Sequence, residues 1–105
     1  MEKDIEIQKL TKYFLDKYGS TNILICDFWE IDLGAIGLTD RTKKYLVYIC
    51  KDLRENNKYS VSLEDPPLDE SFPYTPAGDF DNLSIDEVEK FVVSHLRLKY
   101  DENLQ

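Results

Sequence analysis

Leu83-Ser84-Ile85-Asp86-Glu87-Val88 opens the element that local chemistry specifies most directly. Ser84 followed three positions later by Glu87 is a capping box: the serine hydroxyl accepts from the Glu87 amide, and the Glu87 carboxylate reaches back to the Ser84 amide. Leu83 and Val88 flank the box as a hydrophobic staple. Asp86, Glu87 and Glu89 put negative charge at the positive end of the helix dipole. Val88, Phe91, Val92, His95 and Leu96 then recur at helical spacing as one apolar stripe, and Arg97 and Lys99 stand near its end.

Going back along the chain, the next helical pattern lies at the start. Ile7, Leu10, Phe14 and Tyr18 recur three and four apart over residues 4–18, and Gly19 is a natural stop. Between the two helices the pattern is that of strands. Residues 22–31 are rich in β-branched and aromatic side chains and apolar on both alternating sets near their start, which predicts a central strand covered on both faces. Residues 35–38, 45–50 and 59–63 make three more strands, with turns at residues 39–43 and at Asn56-Asn57. Four strands joined by short connections make an antiparallel meander, and the lack of strand–helix alternation argues against a doubly wound nucleotide fold. The expected fold is α+β: an N-terminal helix, about four mainly antiparallel strands, a long loop rich in proline and aromatics, and a C-terminal helix packed on the sheet. A chain of 105 residues makes this one domain, residues 1–105.

Residues 64–83 are expected to be that loop. They hold all four prolines (Pro66, Pro67, Pro73 and Pro76) together with Phe72, Tyr74 and Phe80. Loops of this length in small domains tend to be functional, disordered or misassigned, and the aromatics argue against disorder. One reading is a proline-stiffened acidic and aromatic binding loop; the other is a cover whose aromatics complete the core.

The chain carries 21 acidic and 13 basic side chains, a formal net charge of −8. Residues 1–34 sum to −3, residues 35–63 to +3, and residues 64–105 to −8. Such a field disfavours nucleic acid and anionic membranes as partners and suits a basic protein surface. The basic residues cluster at two turns, Arg41-Lys43-Lys44 and Lys51-Arg54-Lys58, expected at opposite ends of one strand. Met1-Glu2-Lys3-Asp4 lacks the basic start of an export signal, and no apolar run nears the roughly 20 residues needed to span a bilayer. A cytoplasmic protein is expected, with Cys26 and Cys50 reduced and buried in apolar strands that could be neighbours.

Catalytic patterns are sparse. Gly34 and Gly37 do not make a phosphate loop, and one histidine cannot form a paired-histidine zinc site. His95, on the apolar stripe, is expected to be a hydrogen-bonded structural residue. Asp27, Glu30 and Asp32 lie along one strand, where alternation sends Asp27 away from the other two. Asp79 and Asp81 precede Asn82 without the rest of a calcium loop; Asp81 or Asn82 is expected to order the approach to the helix by local bonds. A divalent-metal nuclease core would need an acid two positions before Lys51, where Ile49 stands. No metal or cofactor is expected.

The reading that fits best is a non-enzymatic protein-binding module. Its size and charge are similar to those of small bacterial inhibitors and immunity proteins that neutralise basic toxins, a likeness of profile and not of motif. Its expected contacts are Asp69, Glu70, Phe72, Tyr74, Asp79, Phe80 and Asp81, aromatics supplying anchoring area and charge orienting the encounter. The alternatives are a small carboxylate- or metal-dependent hydrolase using Asp27, Asp32 and His95, and a self-associating homo-oligomeric subunit burying residues 22–31 and Trp29.

Overall fold

The first helix, α1 (Ile5–Tyr18), begins where the Asp4 carboxylate accepts from the Glu6 amide at 2.9 Å and ends at Gly19. It buries Ile7, Leu10, Phe14 and Tyr18, the stripe expected from the sequence. Its start is pinned to the sheet: the Asp4 amide donates to the Leu33 carbonyl at 2.7 Å, and Lys51 Nζ reaches the Asp4 carboxylate at 3.1 Å. The computed structural model describes residues 3–26, 33–52, 54–55, 57–66 and 75–98.

Five strands follow: β1 (Leu24–Ile25), β2 (Ala35–Thr39), β3 (Leu46–Lys51), β4 (Tyr59–Asp65) and β5 (Thr75–Leu83). They pair antiparallel in sequence order, a meander with β1 and β5 at its edges. The β2–β3 turn is shaped by Asp40, whose carboxylate accepts from the Thr42 hydroxyl at 2.7 Å and the Lys44 amide at 3.2 Å. Asp52 performs the same task between β3 and β4, accepting from the Arg54 amide at 2.7 Å. The two basic turns therefore stand at opposite ends of β3, as expected.

The last element, α2 (Ile85–Leu96), carries the capping box in full: Ser84 Oγ accepts from the Glu87 amide at 3.3 Å, and Glu87 Oε1 from the Ser84 amide at 3.1 Å. Val88, Val92 and Leu96 are buried. The chain is α+β with α2 packed on the sheet, as the pattern predicts.

Both helices cover one face. Register places Ile36 beside Ile49 and Val61, and Leu38 beside Val47 and Leu63; all but the half-buried Leu63 are buried with the two helical stripes in one core. Because side chains alternate across a strand, the opposite face presents Ala35, Gly37 and Thr39 of β2, Leu46, Tyr48 and Cys50 of β3, and Ser60, Ser62 and Glu64 of β4.

Two sequence expectations are corrected here. Two-sided burial belongs to β2, every residue of which is buried, and not to the described part of the run, residues 22–26: β1 is a two-residue edge strand with Ile25 51% exposed, and residues 27–32 lie outside the described residues. The second concerns residues 64–83. β4 runs on to Asp65, and Thr75–Leu83 is the longest strand of the sheet, so the described residues form five strands. Cys26 and Cys50 are half-buried thiols and not disulfide-bonded, with β2 standing between the strands that flank them.

The helices are joined by one carboxylate. Glu89 on α2 accepts from Lys17 Nζ at 2.7 Å, from the Tyr13 hydroxyl at 2.7 Å, and from the Tyr18 hydroxyl, all on α1. Burial by itself would raise the Glu89 carboxyl. The bonds from Lys17, Tyr18 and Tyr13 outweigh it and hold the group below its ordinary value of 4.5. Burial, then Glu89, pushes the Tyr18 hydroxyl up to about 12, so it remains a donor throughout the neutral range.

Gly37 marks a second close approach. A β-carbon there would lie 2.1 Å from the Cys26 carbonyl oxygen, and the Cys26 amide donates to the Gly37 carbonyl at 2.8 Å. Gly37→Ala must displace main chain and is expected to lose about 2–4 kcal/mol of stability in denaturant unfolding. The Glu89 cluster predicts a pH effect. A depressed carboxyl contributes stability that is complete above its unfolded value and lost as pH falls through its folded one. Glu89→Gln is therefore expected to cost about 1–3 kcal/mol at neutral pH and to flatten the loss of stability below the ordinary glutamate value of 4.5, measured by denaturant titration at several pH values.

Candidate functional site

Asp69, Glu70, Phe72 and Tyr74, four of the seven contact residues expected from the sequence, lie outside the described residues. The other three, Asp79, Phe80 and Asp81, sit on β5, an edge strand and not a loop. Phe80 pairs with Val61 on the helix face and stacks on Phe91 of α2, ring centroids 4.4 Å apart, leaving it 38% exposed. Asp79 pairs with Ser62 and belongs to the opposite face. The sheet thus separates the aromatic side chain from its aspartate neighbour.

β5 slips register against β4 twice, between Tyr59 and Val61 and between Leu63 and Glu64. Each slip inserts an extra residue into β5, the geometry of a β-bulge. The irregular residues fall there: Asn82 has φ 56, and Gly78 has φ 146, a conformation that suits glycine. Neither Asp81 nor Asn82 has a side-chain bond to another described residue, so the approach to α2 is ordered by the bulged main chain and not, as the sequence suggested, by local side-chain bonds.

On the face away from the helices, these strands assemble an acidic strip. Ser60, Ser62 and Glu64 follow one another along β4, with Asp79 beside them on β5. At the end of the strip, Asp52, Glu55, Asp81 and Ser60 line a shallow cavity of about 520 Å³ with Arg54 and Asn82. Burial first, then the charge of Asp79, raises the Glu64 carboxyl above its ordinary value. Glu64, Asp79 and Asp81 make no ion pair with another described residue. Pattern analysis missed Glu64, Asp52 and Glu55 because they meet only through the pairing of three strands.

The remaining candidates are placed as follows. His95 has a side chain only 13% exposed; its Nε2 donates to the Glu64 carbonyl at 2.7 Å, and its ring meets Tyr45 edge-on at 5.6 Å. It ties α2 to the end of β4. Asp27, Glu30 and Asp32, the carboxylates of the hydrolase reading, lie outside the described residues, as does Trp29 of the self-association reading. Among the described residues no group of three or more histidine, cysteine or acidic side chains could hold a metal ion. No described helix is long and apolar enough to cross a membrane. On the helix face, a second concavity of about 630 Å³ lies between α1 and α2, with Tyr59 of β4 among its lining residues.

No family model, curated protein or solved structure matches the chain.

The Glu64–Asp79 pair yields a direct test. In carbon-detected NMR titration, Glu64 is expected to have its midpoint above the ordinary 4.5, and Asp79→Asn to bring it down. A carboxyl raised in the folded state opposes folding above that midpoint, and the opposition is relieved as pH falls through it. Asp79→Asn is thus expected to stabilise the protein at neutral pH by a few tenths of a kcal/mol, the scale of a partly screened like-charge pair.

Proposed function

We propose that this chain is a non-enzymatic protein-binding module that receives a basic partner on the acidic strip of β4 and β5, in the manner of small inhibitor or immunity proteins. The reading is supported chiefly by the placement of Glu64 beside Asp79, two like charges without a neutralising cation among the described residues. Such repulsion disfavours the unbound state, and a partner's lysine or arginine relieves it on docking. Asp81, Asp52 and Glu55 add three carboxylates at the end of the sheet, where Arg54 is the one cation lining the same cavity. The flanking serines are small enough to let a partner approach the main chain.

Recognition in this reading runs through side chains and not through addition of a strand. β5 exposes an edge, but Pro76 and the two bulges break the regular row of donors and acceptors that strand addition needs. Phe80 lies on the other face and is not part of this surface, which narrows the contact set to Glu64, Asp79, Asp81 and their neighbours at the β3–β4 turn. A cytoplasmic setting, with both thiols reduced, belongs to the same proposal.

The test uses a photo-crosslinking residue at position 79 and, as a control, at exposed Lys12 on α1, each expressed in the native cell. Position 79 is expected to capture a protein of net positive charge that position 12 does not. The purified partner is expected to bind Asp79→Asn plus Asp81→Asn about 10-fold or more weakly, and to bind the parent protein less tightly as salt rises. Equal capture from both positions, or a partner indifferent to the double substitution, would remove the strip from the interface.

A further inference from the structure

The concavity between the helices differs in kind from the acidic strip and lies on the opposite side of the sheet. Leu10 and Tyr13 of α1 and Ile85 of α2 give it apolar walls, and two of these are conspicuous on the surface: Tyr13 is 41% exposed and Ile85 38%. Its volume of about 630 Å³ falls within the range of small-molecule sites. Along α1 the lining runs from Glu6 to Tyr13, about 10 Å at the rise of an α-helix, room for one compact organic molecule and short for a docked helix.

Two kinds of polar group line it. Tyr59, at the side of β4 nearest α1 and α2, is only 8% exposed, yet its hydroxyl bonds to no other described residue and the side chain lines the concavity. A hydroxyl held by a buried ring and without a protein partner is a position at which a ligand's hydrogen bond can replace one to water. Burial first, then the charge of Glu6, against the opposing charge of Lys51, raises the Tyr59 hydroxyl above its ordinary value, so it stays protonated and its oxygen can accept from a cationic donor. The second kind is carboxylate. Asp86 has no hydrogen bond or ion pair with another described residue, whereas Glu89 is engaged by Lys17 and two tyrosines, and Glu6 is 3.9 Å from Lys51. Lys9 is the one basic residue of the lining, against three acids.

We infer that this groove binds a small organic cation, an ammonium group on an apolar body, with Asp86 and the Tyr59 hydroxyl receiving the ammonium and Leu10, Tyr13 and Ile85 covering the body. Charge complementarity excludes carboxylates and phosphates, and the apolar walls exclude small inorganic cations. The inference is independent of the basic-partner reading, since the groove and the strip share no residue.

The probe is 2-phenylethylammonium, titrated into the full chain and followed by amide NMR. Saturable shifts are expected at residues 9–13, 57–59 and 85–89, with a Kd of about 1 mM or tighter. The neutral isostere, 3-phenylpropan-1-ol, is expected to bind at least about 10-fold more weakly, and 3-phenylpropanoate not at all. Asp86→Asn and Tyr59→Phe are each expected to weaken amine binding several-fold while leaving the spectrum elsewhere unchanged, and Asp79→Asn plus Asp81→Asn to leave it intact. Three results would overturn the inference: equal binding of alcohol and amine, shifts that do not saturate or fall outside the groove, or a lysine-containing tripeptide that binds there more tightly than the amine and so marks the groove as a protein-docking surface.

Discussion

Glu89 is the residue on which the helix face depends. A half-buried carboxylate is costly unless the bonds it accepts make good its lost hydration, and here one ammonium and two phenolic hydroxyls do so. All three donors come from the last turns of α1, so electrostatic satisfaction and helix docking are a single event. Lys17 also lies over the rings of Tyr13 and Tyr18, at 5.3 and 5.6 Å, which adds cation–π attraction to the same contact. The clamp holds α1 beside α2, and beyond it the surfaces of the two helices part around Tyr59 to leave the groove. Concavity and clamp are thus two aspects of one packing arrangement.

The sheet supplies the second constraint. A meander has two edges, and this one treats them differently: β1 is cut to two residues, while β5 is long but twice bulged and bears Pro76. Both devices discourage edge-to-edge association. The bulges also set which face each β5 side chain occupies, sending Phe80 to the helices and Asp79 to the acidic strip. Asp79, Phe80 and Asp81, which the sequence offers as part of one contact surface, are divided between two faces.

What could be read beforehand follows the range of the interaction responsible. The capping box of α2 and the stripe of α1 were legible because they rest on spacings of three and four residues. β5 was not, because Pro76, Gly78, Asp79, Asp81 and Asn82 are poor strand formers, and only pairing with β4 holds them extended. The apolar run at residues 22–31 suggested a doubly covered strand, yet the covering is on β2, where Gly37 leaves room for the Cys26 main chain to lie against it. Glu89 read as a charge complementing the helix dipole; nothing near it in sequence signals donors 71 to 76 residues away. The acidic strip was half legible for the same reason, with Asp79 and Asp81 visible in sequence and Glu64, Asp52 and Glu55 joined to them only by the sheet.

The order of the chain gives the clamp a consequence for synthesis. Every strand pairs with its neighbour in sequence, so the sheet can grow by adding one hairpin at a time as the polypeptide emerges. α1 is made before the strands, but the carboxylate that anchors it arrives after all five of them, on α2. Until then the apolar stripe of α1 has only the growing sheet to cover it, tethered by the contacts of Asp4 with Leu33 and Lys51. α1 therefore precedes the sheet it covers and is secured only after it, so a chain cut before Glu89 would keep every strand of the described sheet while leaving that helix unlocked.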